Sequence, residues 1–279
     1  MALTQLERIL ILAKTYPSPS AQYIETSCVA GINDHGAIRR LYPVPFRMIE
    51  ENSQFKKWQW IEVRTEKARK DHRPESHKLY VDTISCGESI TTKKEWSERR
   101  VWLEKIPSFD NFDAVEASRV HGEMSIALLR PKQSLSLIIT KARNSEWTDE
   151  EKKKLLRQQM QFDIFSEVQA KNQIQGLRKV PFDFYYRYVC DSPVGEKEYY
   201  HKIVDWEAGA LFWNCQKTHG ADWEKPFRAK LEGELIKKDL MFLMGNMQRF
   251  PDQWLIISLV YPPKRNPAEM IQGSLFQRY

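Results

Sequence analysis

No apolar run in the sequence approaches the roughly 20 residues that a membrane-spanning helix needs. The longest, Ile9–Ala13 and Trp254–Val260, are strand-sized. Nothing at the N-terminus reads as a secretory leader, because Lys14, Pro17 and Pro19 follow the first run at once. The expectation is a cytoplasmic protein with no membrane partner. Cysteine is scarce: Cys28, Cys86, Cys190 and Cys215 are scattered and form no C-x-x-C pair, which argues against a disulfide framework. Also missing are a G-x-x-x-x-G-K-[ST] loop, a G-x-G-x-x-G fingerprint and a G-x-S-x-G elbow, so ATPase, dinucleotide enzyme and serine hydrolase readings lack support. His121-Gly122-Glu123 matches the H-x-E of zinc deaminases, but their P-C-x-x-C is absent. Cys190 and His201 are the only soft ligands near one another in the second half, and a structural zinc site needs four. No metal and no cofactor is expected.

What is present suits about two globular domains: 279 residues at roughly 150 per domain. The formal charge is +6, and most of that excess lies in one stretch. Between Arg39 and Lys78 there are eleven basic residues against six acidic ones, interleaved with Tyr42, Phe46, Phe55, Trp58, Trp60 and Tyr80. Cations for phosphates and rings for bases are the composition of a single-strand binding surface, although a charge run is also how a solvated face looks.

The periodicity predicts mostly strands in the first half: Arg8–Tyr16, Glu25–Gly31, Ile38–Pro43, Trp58–Thr65, Leu79–Ile84, Ser125–Leu129 and Leu135–Thr140. Asn33-Asp34-His35-Gly36 reads as a hairpin loop, and the broken alternation around Trp58, Trp60 and Val63 as a bulge near Ile61. Helices are expected at Lys93–Lys105 and Asp113–Val120. Residues 142–179 read as a charged linker, with a helix capped by Thr148 and Glu151. Beyond it come strands Phe182–Cys190 and Tyr199–Val204, helices Trp206–Lys217 and Asp222–Lys237 (Phe227, Leu231 and Leu235 on one stripe), and closing strands Leu240–Met244 and Trp254–Tyr261. The expected architecture is β-rich α+β: two OB-like barrels over 1–141 and 180–264 with helical insertions, the linker between them and a tail over 265–279.

Ala13-Lys14-Thr15-Tyr16-Pro17, the run from Gly36 to Arg47, Arg73-Pro74-Glu75-Ser76, Val180-Pro181-Phe182, the run from His201 to Glu207 and Leu259-Val260-Tyr261-Pro262-Pro263-Lys264 resemble an uncharacterised bacterial family, the dual OB-containing domain proteins. The resemblance covers nearly the whole chain. It implies two OB folds and a role near nucleic acid in bacterial conflict or phage-defence loci, and it implies no established activity.

The leading functional expectation is a non-enzymatic, single-strand-preferring nucleic-acid-binding protein. Phosphate contacts are assigned to Arg39, Arg40, Arg47, Arg69, Lys70 and Arg73, and stacking to Tyr42 or Trp58. Adjacent residues of a strand point to opposite faces, so only one of Arg39 and Arg40 can share the binding face directly; the competing reading is that one Arg pairs with a carboxylate inside the barrel. A rival is a metal-dependent nuclease using His201, Asp205 and Glu207, with Lys202 alongside, although carboxylates at a helix start are also explained by the helix dipole. A third reading is an adaptor. Gln272, Ser274, Leu275 and Phe276 in the tail resemble the bacterial sliding-clamp-binding motif, and Gln161–Phe165 fits the same pattern loosely.

Overall fold

The computed structural model describes residues 4–19, 25–44, 46, 49, 53–143, 145–146, 148–150 and 179–265. Arg47, the Gln161–Phe165 segment, nearly all of the expected linker helix and the Gln272–Phe276 tail lie outside them.

The first unit is a closed five-stranded barrel. Strand β1 (Gln5–Lys14) pairs antiparallel with both β3 (Glu25–Asn33) and β5 (Gln59–Lys67). The ring continues from β3 to β4 (Ile38–Val44), then in parallel to β6 (Ser76–Leu79), which returns to β5. Two short strands hang off this ring: β2 (Ser18–Pro19) on β3, and β7 (Ser85–Ser89) on β5. Ile9 and Ile11 point into the barrel with Val29, Leu41, Ile61 and Val63. Leu10 and Leu12 point outward, yet are also buried, in a second cluster. The uninterrupted run Ile9–Ala13 is therefore a strand with a core on each face.

Gly36 sits at φ +85° in the β3–β4 loop, and Asn33 Oδ1 accepts from the Ala37 amide, closing the expected hairpin. The bulge expected near Ile61 is present as a register shift between Gln59 and Ile61 against β7. The strand expected over Leu79–Ile84 is broken. A 3-10 turn over Val81–Thr83 separates β6 from β7, and Thr83 Oγ1 both donates to the Tyr80 carbonyl and accepts from the Arg64 amide.

After α1 (Lys93–Leu103) the chain enters a second sheet. Its strands are β8 (Ser108–Phe109), β9 (Ile126–Leu129), β10 (Gln133–Lys141), β11 (Phe182–Ser192), β12 (Gly195–Ile203), β13 (Met241–Asn246) and β14 (Trp254–Val260). Their order is β10-β11-β12-β14-β13-β9-β8. Two expectations are corrected here. The second sheet is open, not a second barrel, and among the described residues nothing pairs β10 with β8. Residues 108–141, expected in the first unit, supply three strands of the second. The reason is that both faces of this sheet's centre find cover without curling. Helix α2 (Phe112–Val120), α3 (Trp206–His219) and α4 (Glu224–Arg228, continued by a π turn over Ala229–Glu234 and a 3-10 turn over Leu235–Lys237) lie along the chain around it. Phe212, Phe227, Leu231 and Leu235 of these helices pack on Ala127, Leu129, Phe242 and Met244. The alternate residues Ile126, Leu128, Met241 and Leu243 meet Leu10, Leu12, Ala30 and Ile32 of the barrel. The sheet centre is thus sandwiched between helices and barrel.

Candidate nucleic-acid interface

The alternation argument for Arg39 and Arg40 holds, but both guanidinium groups are engaged within the protein. Arg39 turns into the end of the barrel, where its Nη2 lies 2.7 Å from Oε1 of the buried Glu7. Asn33 and Thr65 donate to the same carboxylate. Burial pushes the Glu7 carboxyl up, but these hydrogen bonds outweigh it and hold the group below the usual carboxylate range. Arg40 points outward and is 3% exposed, because the outer faces of β1, β3 and β4 lie against the second sheet. Its Nη2 donates to the Ser125 carbonyl at 2.7 Å, and Ser125 in turn donates through its amide and hydroxyl to the buried Glu75. Trp58 is 3% exposed, edge-on to Trp96 and beneath Arg99. Arg40 and Trp58 are seam residues. They are corrected from phosphate and base contacts to packing.

The basic loop between β5 and β6 is divided the same way. Arg73 forks onto Asp71 at 2.6 Å and donates through Nη1 to the Asn246 carbonyl, so it ties the loop to the second sheet. The Asp71 carboxyl is pushed up by burial, yet Arg73 and Ser76 hold it below its usual value. Gln248 donates to the Lys70 carbonyl and reinforces the tie.

What this leaves in solvent is the Tyr42 end of β4 together with the outer surface of β5 and β6. Arg69 keeps 73% of its side chain exposed, touching only Glu66 at 3.2 Å. Lys70 is exposed, and its ammonium has no partner among the described residues. Tyr42 is 40% exposed. The parallel register Leu41↔His77 sets Tyr42 beside Lys78, and Glu66↔Lys78 sets Lys78 across from β5. Lys78 lies over the Tyr80 ring at 4.8 Å, and the Tyr80 hydroxyl donates to Glu66 at 2.7 Å. That bond, with Arg69 nearby, holds the Glu66 carboxyl below its usual range. Arg64 is exposed on the same hairpin, whereas the Lys67 ammonium is turned away and donates to the Arg73 and Pro74 carbonyls. Four exposed cations, Arg64, Arg69, Lys70 and Lys78, therefore lie with Tyr42 and Tyr80 on this surface, against Glu62 and Glu66. Of the expected contacts, Tyr42, Arg69 and Lys70 belong to this patch. Arg64, Lys78 and Tyr80 were missed as members, though period-2 alternation from Glu66 and Lys78 would have placed them.

A family model described as a domain of unknown function (DUF8757) matches residues 108–279, and another, a domain of unknown function (DUF8758), matches residues 5–105. The chain belongs to the DUF8757 family. No curated protein matches it. The start of the DUF8757 match coincides with Ser108, the first residue of β8, so the family's unit and the open sheet begin together.

Within that DUF8757 region, the rival catalytic constellation is dispersed. Both oxygens of the buried Asp205 are taken: Oδ1 accepts from the Glu207 amide at 2.8 Å, as an N-cap, and Oδ2 from the Leu259 amide at 2.7 Å. Lys57 of the barrel lies 3.9 Å from Asp205 and 3.3 Å from Glu207. Burial drives the Asp205 carboxyl up, with Lys57 pulling the other way. Lys202 pairs with Asp183 at 2.7 Å. His201 has its ring against Phe112 and its Nδ1 2.8 Å from the Tyr188 hydroxyl, and nothing joins it to Asp205 or Glu207 among the described residues. Among those residues no three His, Cys, Asp or Glu side chains are placed to hold a metal ion. No described helix is long and apolar enough to cross a membrane.

Burial pushes His201 down to about 4. The folded state therefore keeps it neutral while the unfolded chain protonates near 6.5. Stability from this residue is complete above the unfolded value and is lost as pH falls from there toward 4, up to about 3 kcal/mol in all. Urea unfolding at pH 7.5 and pH 5 should show this loss, and His201→Gln should abolish it. An equal loss in the variant would assign the slope to other groups.

Proposed function

We propose that this protein is a non-enzymatic, single-strand-preferring nucleic-acid-binding protein that grips its ligand with the Tyr42 end of β4 and the outer surface of β5 and β6. The observation that carries the reading is the patch itself: four exposed cations with two tyrosines. Backbone phosphates bind the cations, and successive bases stack on Tyr42 and Tyr80. Numbered within the barrel, the five strands run 1-2-3-5-4 and back to 1, a Greek-key ring that fits an OB fold. In that fold the loop between the fourth and fifth strands helps hold the nucleic acid, and here that loop carries Arg69 and Lys70. A place in a bacterial DNA-transaction or defence system is supported by the sequence resemblance alone.

Fluorescence anisotropy with labelled single-stranded DNA, single-stranded RNA and duplex tests the reading. Binding should weaken as salt rises, because phosphate contact releases counterions. Arg69→Ala, Lys70→Ala and Lys78→Ala together should reduce the salt slope by roughly 2. Tyr42→Ala should weaken binding by about 1–3 kcal/mol. Trp58→Phe should leave affinity unchanged. Salt-insensitive binding, or full affinity in the triple variant, would overturn the proposal.

A further inference from the structure

Between α1 and the β13-β9-β8 edge of the second sheet lies a cleft of about 640 Å³. It is separate from the β4–β6 surface and is built from both units. Its floor is apolar: Leu103, Leu128 and Met241, all buried. Its rim holds four cations, Arg100, Arg130, Lys264 and Arg265, against the carboxylates of Glu104 and Asp239. Those acids are already shared. Asp239 lies 3.3 Å from Arg130 and 4.0 Å from Arg100, and Glu104 lies 2.7 Å from Arg265. Lys264 has no ion pair or hydrogen bond among the described residues. Arg100 is the deepest cation, its side chain 14% exposed, and it donates to the Pro263 carbonyl. Burial lowers its proton affinity, and the like charge of Arg265 lowers it further. Two positive charges thus remain uncompensated in a concave site with a greasy floor, where field lines are focused.

We propose that this cleft binds a nucleoside polyphosphate, with the base on Leu103, Leu128 and Met241 and the phosphates between Arg130, Lys264 and Arg265. The volume suits a ligand of that size, and forked guanidinium groups match phosphate oxygens. Because the walls come from both units, the bound ligand also clamps the barrel to the sheet.

Isothermal titration calorimetry on the full chain, with ATP, inorganic triphosphate and adenosine as probes, tests this. ATP should bind most tightly, triphosphate more weakly and adenosine weakest of the three. Lys264→Glu, a change at an exposed and unpartnered side chain, should weaken ATP at least about tenfold, and Arg130→Ala combined with Lys264→Ala should do the same. The Arg69, Lys70 and Lys78 triple variant should bind ATP normally, which separates this site from the nucleic-acid surface. No heat with ATP at millimolar concentration, or unchanged affinity in Lys264→Glu, would overturn the proposal. Triphosphate binding as tightly as ATP would overturn the base assignment, and adenosine binding as tightly would overturn the phosphate assignment.

Discussion

Asp205→Ala is expected to destabilise the protein by about 3–5 kcal/mol, the range for breaking a buried charge pair by removing one partner. The carboxylate is the shared acceptor of three elements. It caps α3 through the Glu207 amide, accepts from the Leu259 amide of β14, and faces Lys57 from the barrel. Truncation leaves two amides without an acceptor and takes from the Lys57 ammonium, itself 7% exposed, its buried counter-charge. Asp205→Asn keeps one acceptor oxygen and should lose distinctly less. Lys57→Met added to Asp205→Ala should recover part of the loss, since it removes a buried cation left with only the half-exposed Glu207 as counter-charge. Urea unfolding of the parent, Asp205→Ala, Lys57→Met and the double variant measures this as a double-mutant cycle. A fully stable Asp205→Ala protein would show that the carboxylate is not what joins barrel, helix and sheet.

Gly209→Ala is the second large effect, and its sign opposes helix propensity. In an ordinary helix interior the change stabilises by up to about 1 kcal/mol. Here a Cβ would fall 2.2 Å from Tyr16 Cδ2 and 2.6 Å from Cε2. The Tyr16 ring cannot simply swing aside. Its hydroxyl accepts from Trp213 Nε1 at 2.8 Å, its amide donates to the Val204 carbonyl, and the ring packs 5.9 Å from Trp206. Overpacking of this kind typically costs 1–3 kcal/mol, so after the propensity gain a net loss of about 1 kcal/mol is expected. Combined with Tyr16→Ala, the glycine change should lose most of its effect, because the clash disappears. A Gly209→Ala protein at least as stable as the parent would mean that α3 can retreat from the barrel.

These two positions explain why particular motifs stand out in the sequence. Ala13–Pro17 and the run from His201 to Glu207 lie far apart in the chain, yet Thr15 bridges Asp205, and Tyr16 meets Val204, Gly209 and Trp213. Much of the chemistry in the motifs that carry the family resemblance belongs to the seam. The acidic pair at the start of α3, read alternatively as a metal site, is better accounted for by capping and docking.

The sequence by itself determined the features whose cause is local. Alternation sent Arg39 and Arg40 to opposite faces, the Asn33–Gly36 turn closed a hairpin, and the stripe of Phe227, Leu231 and Leu235 made one apolar helix face. Tertiary structure decided what each face would meet. Leu10, Leu12, Ala30 and Ile32 look from the chain like strand residues of one barrel, but their outward side chains are cover for a second sheet. That contact buries Arg40 and Trp58, moves the exposed cations to β5 and β6, and spares the second sheet any need to close on itself. Period and turn chemistry are written within a few residues, whereas burial depends on a partner surface far along the chain, 85 residues on for Arg40 and Ser125. A local pattern specifies that a face must be covered; only the folded chain settles what covers it.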